Sequence, residues 1–175
     1  MDFNREEIIN RLLQLDRDMA LIDTTEDIYS CVIVGGGALV LMNKIYRSTH
    51  DIDSIDASKE IIPLLEAYNI NMNVRAYVLS FPDNYRERVQ KLEIGSKKIN
   101  FYTASLEDLV VSKLNSMRDK DIDDISNPLV YNDVNWEVLD LLIEDVCYGM
   151  LNDYDVNNLR RNYSEYKEKY KKWDL

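Results

Sequence analysis

Three of the chain's five glycines stand side by side, at Gly35, Gly36 and Gly37. Average usage of about 7% would give a chain of this length roughly 12 glycines. A sequence that otherwise avoids the residue has gathered it in one place. The apolar run Cys31-Val32-Ile33-Val34 precedes the triplet, and Ala38-Leu39-Val40-Leu41-Met42 follows it. A short apolar run bounded by turn residues predicts a buried strand, and the second run predicts a helix to about Ile45. A strand turning through glycines into a helix leaves backbone N–H groups unpaired, and glycine lets an anion approach them closely. The two common phosphate loops do not fit. Walker A needs Gly-Lys-Ser/Thr, which is absent, and the Rossmann fingerprint needs a glycine where Val40 stands. Close helix packing is the other explanation for the triplet.

Fifteen residues further on, Asp51 and Asp53 flank Ile52 in a stretch, Asp51 to Asp56, that alternates like a short strand. Residues two apart on a strand share a face, so both carboxylates leave one side while Ile52 points inward. Paired carboxylates suit Mg²⁺ (or Mn²⁺), a hard ion that takes oxygen ligands and keeps several waters. An EF-hand is excluded, since Ile55 and Asp56 occupy the positions that need Asp/Asn and Gly. A second loop from Asp119 fails at Asp124 and Val130. In a chain with 32 acidic residues an Asp-x-Asp also arises by chance at a solvated strand end. Arg47 suits a phosphate clamp, and His50 is a polar loop residue or a substrate contact.

The remaining pattern predicts a single unit. Helix is expected over 4–22, from a Ser58 cap through Leu65, from about Pro82 to Gln90, from a Ser105 cap with Asp108 three residues on to Met117, and at about 135–149 and 156–173. Strands are expected at Val74–Leu79 and at Leu92–Tyr102, the latter turned near Gly95. Strands in the first two thirds and helices in the last make an α+β chain. With 46% hydrophobic and 30% charged residues it is an ordinary globular composition. No apolar run reaches a membrane span, and the first residues lack a secretory layout, so a cytoplasmic location is expected. Two cysteines and one histidine exclude a disulfide framework and a Cys/His zinc site. Cys31 and Cys147 read as inert core residues. A net charge of -11 opposes a broad grip on nucleic acid.

Gly-Gly-Gly-Ala-Leu followed by Arg47-x-Thr49-x-Asp51-Ile-Asp53 resembles the minimal nucleotidyltransferases of the DNA-polymerase-β-like superfamily, nearest to their abortive-infection, type IV toxin-like branch. Phe81-Pro82-Asp83-Asn84-Tyr85 with Arg88 looks like a short motif of these relatives. Ser105 through Lys113, then Arg118-Asp119-Lys120-Asp121 and Asp124, resembles their lysine-bearing helix and its tail. The resemblance implies a nucleotidyltransferase core over 1–125, with a small mixed sheet flanked by helices, and a helical portion over 126–175 packed on it. It implies that Gly35, Gly36, Gly37, Arg47 and Thr49 hold nucleotide phosphates. Asp51 and Asp53 would bind magnesium, and Lys113 would contact the triphosphate or act in catalysis. The implied reaction moves a nucleoside monophosphate from an NTP to tRNA or a protein, in a toxin opposed by an antitoxin protein. One departure stands out: the later strand Lys97–Tyr102 lacks the third carboxylate these enzymes use as base. Glu93 or Asp121 could substitute, or the chain could be an inactive nucleotide-binding or interaction module.

Lys113 lies inside its own helix's apolar stripe of Leu106, Leu109, Val110, Leu114 and Met117. It either snorkels or reaches an anion. Asp121 and Asp124, three apart, orient Arg118 or Lys113 or lie at the surface. The last helix spaces Leu159, Tyr163, Tyr166, Tyr170 and Trp173 as a heptad-like seam. Residues 160–172 carry +4, leaving -15 elsewhere. That seam packs on its own domain, or meets RNA or a protein partner.

Overall fold

Asn4 caps the first helix, which starts one residue later than the sequence pattern placed it. Its side chain accepts from Glu7 N at 3.0 Å, and the Glu7 carboxylate accepts from Asn4 N at 2.7 Å. Helix α1 runs Arg5–Ile22 and buries Ile8, Leu12, Leu15 and Met19. The computed structural model describes residues 3–72 and 80–172, and their contacts group into two compact units. One holds residues 3–72 and Arg86–Ala104; the other holds 80–85 and Ser105 to 172. Among the described residues the chain passes between the units at Tyr85/Arg86 and at Ala104/Ser105.

The first unit is a five-stranded mixed sheet in the order β3-β2-β1-β5-β4. Its strands are β1 (Tyr29–Val34), β2 (Ile52–Ala57), β3 (Ile70–Met72), β4 (Gln90–Lys91) and β5 (Ile99–Thr103). Strand β1 lies central, antiparallel to β2 and parallel to β5. Besides α1, the unit carries α2 (Gly35–Leu41) and α3 (Ile62–Ala67), which pack on the strands and on α1. The α+β architecture with a mixed sheet and flanking helices matches the sequence expectation. Ile33, Ile52, Ile99 and Phe101 are fully buried in it.

Three local expectations change. Ser58 does not cap the next helix: its hydroxyl accepts from Ser30 N at 3.0 Å, and a 3-10 turn at Lys59–Ile61 leads into a short α3. The stretch after Pro82 is a single 3-10 turn, Tyr85–Arg88, because Gln90 is drawn into β4. The 92–102 segment is a loop followed by β5, with Gly95 at φ +84. The predicted strand Val74–Leu79 lies outside the described residues. Among the described residues, no helix is long and apolar enough to cross a membrane.

Asp16 is a structural residue the sequence reading passed over. Buried on α1, its carboxylate accepts from Lys97 N, Lys98 N at 2.7 Å and Ile99 N at 2.7 Å. It thereby satisfies the backbone donors that lead into β5. Asp16→Asn keeps one acceptor oxygen and places an NH₂ against the same N–H groups, so we expect a loss of about 1–2 kcal/mol in urea unfolding. An unchanged midpoint would show these bonds to be dispensable.

The second unit is helical: α4 (Leu106–Ser116), α5 (Asp119–Ile125), α6 (Pro128–Tyr131), α7 (Trp136–Gly149) and α8 (Asp153–Tyr170). Ser105 caps α4, accepting from Asp108 N and donating to the Asp108 carboxylate. Met117, left-handed at φ 49, ends it. Helix α8 packs on α4 and α7 with Leu159, Tyr163 and Tyr166 buried. Tyr166 donates to the Ile125 carbonyl at 2.9 Å, Tyr163 to Asp140 at 2.6 Å, and Tyr170 to Ser126 while stacking on Tyr131. Tyr163 and Tyr166 are therefore core of their own unit, while Tyr170 is half-buried. Trp173 lies outside the described residues.

Candidate functional site

The three glycines do three different jobs. Helix α2 begins at Gly35, so the triplet forms its first turn rather than a loop ahead of it. Gly35 has φ +65, a left-handed conformation that lets the chain leave β1 and enter the helix at once. At Gly36 a Cβ would lie 3.0 Å from Arg47 Nη2 and 3.5 Å from Thr49 Oγ1. The missing side chain leaves a gap into which the Arg47 guanidinium and the Thr49 hydroxyl both reach. Gly37 sits over the Asp51–Ile52 backbone, with its nearest contact at 3.8 Å, which leaves room for a methyl. Gly35→Ala should therefore cost about 1–2 kcal/mol through the left-handed backbone. Gly37→Ala should be neutral or stabilise by up to about 1 kcal/mol. Equal urea midpoints for the two variants would contradict this division of labour.

Thr49 is held from two sides. Its backbone exchanges hydrogen bonds with Phe3, 2.7 and 3.0 Å, and its hydroxyl donates to the Asp51 carbonyl at 2.9 Å. That clasp carries the chain from the Arg47 loop into β2. Asp51 is exposed and lies just before β2 rather than on it, whereas β2 puts Ile52 in the core and leaves Asp53 half-buried. In the ladder Asp53 stands directly across from Val34, the residue before Gly35. Asn71 on β3 donates to Asp53 Oδ1 at 3.3 Å. Just beyond, the register slips, so that Val32 faces Asp56 while Ile33 faces Ser54. Ile55 is the extra residue, a bulge of the kind that re-aims side chains near functional sites.

Gly36, Arg47, Thr49 and Asp53 thus gather around the end of β1, with Asp51 joined through its carbonyl. His50 is exposed in the same loop. Asp51, exposed, and Asp53, half-buried, are the two carboxylates next to this loop. Among the described residues no cluster of three His, Cys, Asp or Glu side chains stands ready for a metal. Such a donor set fits Mg²⁺ or Mn²⁺ arriving with a triphosphate, whose oxygens and waters complete the shell. It does not fit a resident metal centre.

Lys113 and Asp121 belong to the other unit. The Lys113 ammonium is buried and donates to Asp121 Oδ1 at 2.7 Å and Asp124 Oδ2 at 2.8 Å. Asp121 Oδ2 accepts from Ser116 and from Arg118 Nε at 2.7 Å. Lys113 therefore does not snorkel, and both aspartates are buried partners rather than surface charge. Burial pushes the Asp121 carboxyl up, but the Arg118 and Lys113 hydrogen bonds outweigh it and hold the group below its usual range. A carboxylate so committed is a weak base. Glu93 is exposed in the loop between β4 and β5.

Phe81 and Tyr85 meet edge to face, ring centres 5.8 Å apart, so the aromatics of that motif are packing residues. Both cysteines are buried and free, and burial raises the Cys31 thiol to about 12 and lifts Cys147 as well. Neither is set up as a nucleophile.

A family model described as "Nucleotidyltransferase of unknown function (DUF6036)" matches residues 10–171. No curated protein and no solved structure matches the chain.

Proposed function

The chain belongs to this family of nucleotidyltransferases of unknown function, and from that premise we propose that it transfers a nucleoside monophosphate from an NTP to an acceptor hydroxyl, releasing pyrophosphate. The observation that carries the reading is the shared space at Gly36, where an arginine and a threonine converge across the strand end from Asp53. Arg47 and Thr49, with Gly35, Gly36 and Gly37, receive the phosphates. A guanidinium matches phosphate oxygens in a fork, and glycine admits them close to the backbone. Asp51 and Asp53 would hold the divalent ion, which when bound neutralises charge on the phosphoryl oxygens. The acceptor oxygen bonds to the α-phosphorus as the bond from that phosphorus to the bridging oxygen breaks, its electron pair leaving with pyrophosphate and the acceptor proton passing to solvent.

The acceptor is tRNA or a protein, and a toxin role opposed by an antitoxin protein is the biological setting that the sequence resemblance suggests. Lys113 and Asp121 enter this reading as the resemblance proposed them, with Asp121 holding Lys113 and Arg118 rather than serving as base. Among the described residues no third acid joins Asp51 and Asp53, which favours one rival, a module that binds NTP without turning it over.

Incubating the protein with NTPs labelled on the α-phosphate, total RNA and lysate protein tests the proposal. The expected result is Mg²⁺-dependent label on one macromolecule class, with pyrophosphate released. Mg²⁺-dependent NTP binding with no label on either class supports the rival. Absence of NTP binding defeats both.

A further inference from the structure

The first unit has an open surface pocket of about 520 Å³ between the start of α1 and the end of α3, lined by Phe3, Asn10, Arg11, Gln14, Tyr68 and Asn69 among others. Its volume is that of an ordinary small-molecule site. Arg11 is half-buried there, donating through Nη1 to the Tyr68 carbonyl at 2.7 Å and stacking on Phe3 at 4.3 Å from the ring centre. Among the described residues no carboxylate pairs with it. Glu7, the one acid in the lining, has turned its carboxylate to the Asn4 backbone. The Asn10 and Asn69 amides make no side-chain hydrogen bond among the described residues. A guanidinium offers five donors and one of these is used, so an anion in the pocket that Arg11 lines would find donors to spare.

We propose that this cavity binds a small hydroxylated oxyanion, a sugar phosphate or a sugar acid, with the anion on Arg11 and the hydroxyls on Asn10 and Asn69. The site is separate from the nucleotide reading but adjoins its loop. Phe3 forms the cavity wall with its ring and the clasp on Thr49 with its backbone. A ligand that fixes Phe3 also fixes Thr49.

The test is an amide-resonance titration of the full chain with ribose 5-phosphate, gluconate and uncharged ribose. Saturable shifts at Phe3, Arg11 and Asn69 are expected with at least one anion and not with ribose, and the anion that acts identifies the source as phosphate or carboxylate. Asn10→Asp, at an exposed position that leaves the fold intact, and Arg11→Gln should each weaken binding by about tenfold or more. The Thr49 amide should move with the same affinity. The site is overturned if neither anion shifts these resonances, if ribose acts equally, or if Asn10→Asp binds like the wild type. A stationary Thr49 overturns the link to the loop. NTP shifts confined to Gly35–Gly37 would leave the nucleotide reading standing when the cavity fails, and the converse pattern would do the opposite.

Discussion

Asp53→Asn and Asp51→Asn are each expected to lower Mg²⁺-dependent label transfer by at least about 10³-fold, because a carboxylate bound to the ion supports several kcal/mol of charge stabilisation and each 1.4 kcal/mol is tenfold. The fold should be nearly indifferent. Asp51 is exposed, and at position 53 an asparagine still offers a carbonyl oxygen to Asn71. Surface or half-exposed changes of this kind stay within about 0.5 kcal/mol. The pairing of a large activity loss with an unchanged urea midpoint is what separates a metal ligand from a structural residue. NTP binding in Mg²⁺ should weaken as well, while binding in EDTA should change little. Asp56→Asn is the control on the same strand: Asp56 is already bonded to Arg86 at 2.6 Å, so its loss should leave label transfer within a few fold. Retained transfer in both Asp51→Asn and Asp53→Asn would remove the ion from this strand and the reaction with it.

What could be read from the chain was what local spacing determines. The glycine triplet after an apolar run, the one-residue gap between Asp51 and Asp53, and the Ser105 cap are all set by neighbours within four positions, and the structure has each of them. The helix start moved from Ala38 to Gly35 because a glycine tolerates the left-handed entry that other residues resist. Long-range choices were not legible. The bulge at Ile55 follows from how β2 registers against β1, and Ser58 gives its hydroxyl to Ser30 rather than to its own helix. No periodicity encodes either. Asp16 was legible in principle by the rule that singled out Lys113, a charged residue inside an apolar helix stripe, since it falls four residues after Leu12 and beside Leu15. The partners of such a charge are another matter: Asp16 is satisfied from 81 to 83 residues away, whereas Lys113 finds both of its aspartates within 11.

Lys113→Met carries the largest stability effect we expect, about 3–5 kcal/mol, the range for removing one member of a buried ion pair. Methionine fills the volume but leaves two buried carboxylates without the ammonium they share, the Asp121 and Asp124 side chains being 4% and 1% exposed. The pH dependence should flatten. In the wild type Asp121 is held below its usual range, so its contribution is fully present above the unfolded carboxylate pKa, near 4, and fades as pH falls through the lower folded value. Without the ammonium, Asp121 keeps its Arg118 and Ser116 hydrogen bonds but loses the Lys113 one that opposes its burial, so the gain in the variant's stability as pH rises above about 4 should shrink. A double variant, Lys113→Met with Asp124→Leu, removes a charge of each sign and should recover part of the loss, since buried pairs replaced by apolar residues often cost little. Urea unfolding of the three proteins between pH 4 and 8 decides the matter. A Lys113→Met protein as stable as the wild type, with the same slope against pH, would mean that the ammonium is not what holds α4 to α5, and Lys113 would then be free for the role at the triphosphate that the sequence resemblance assigns to it.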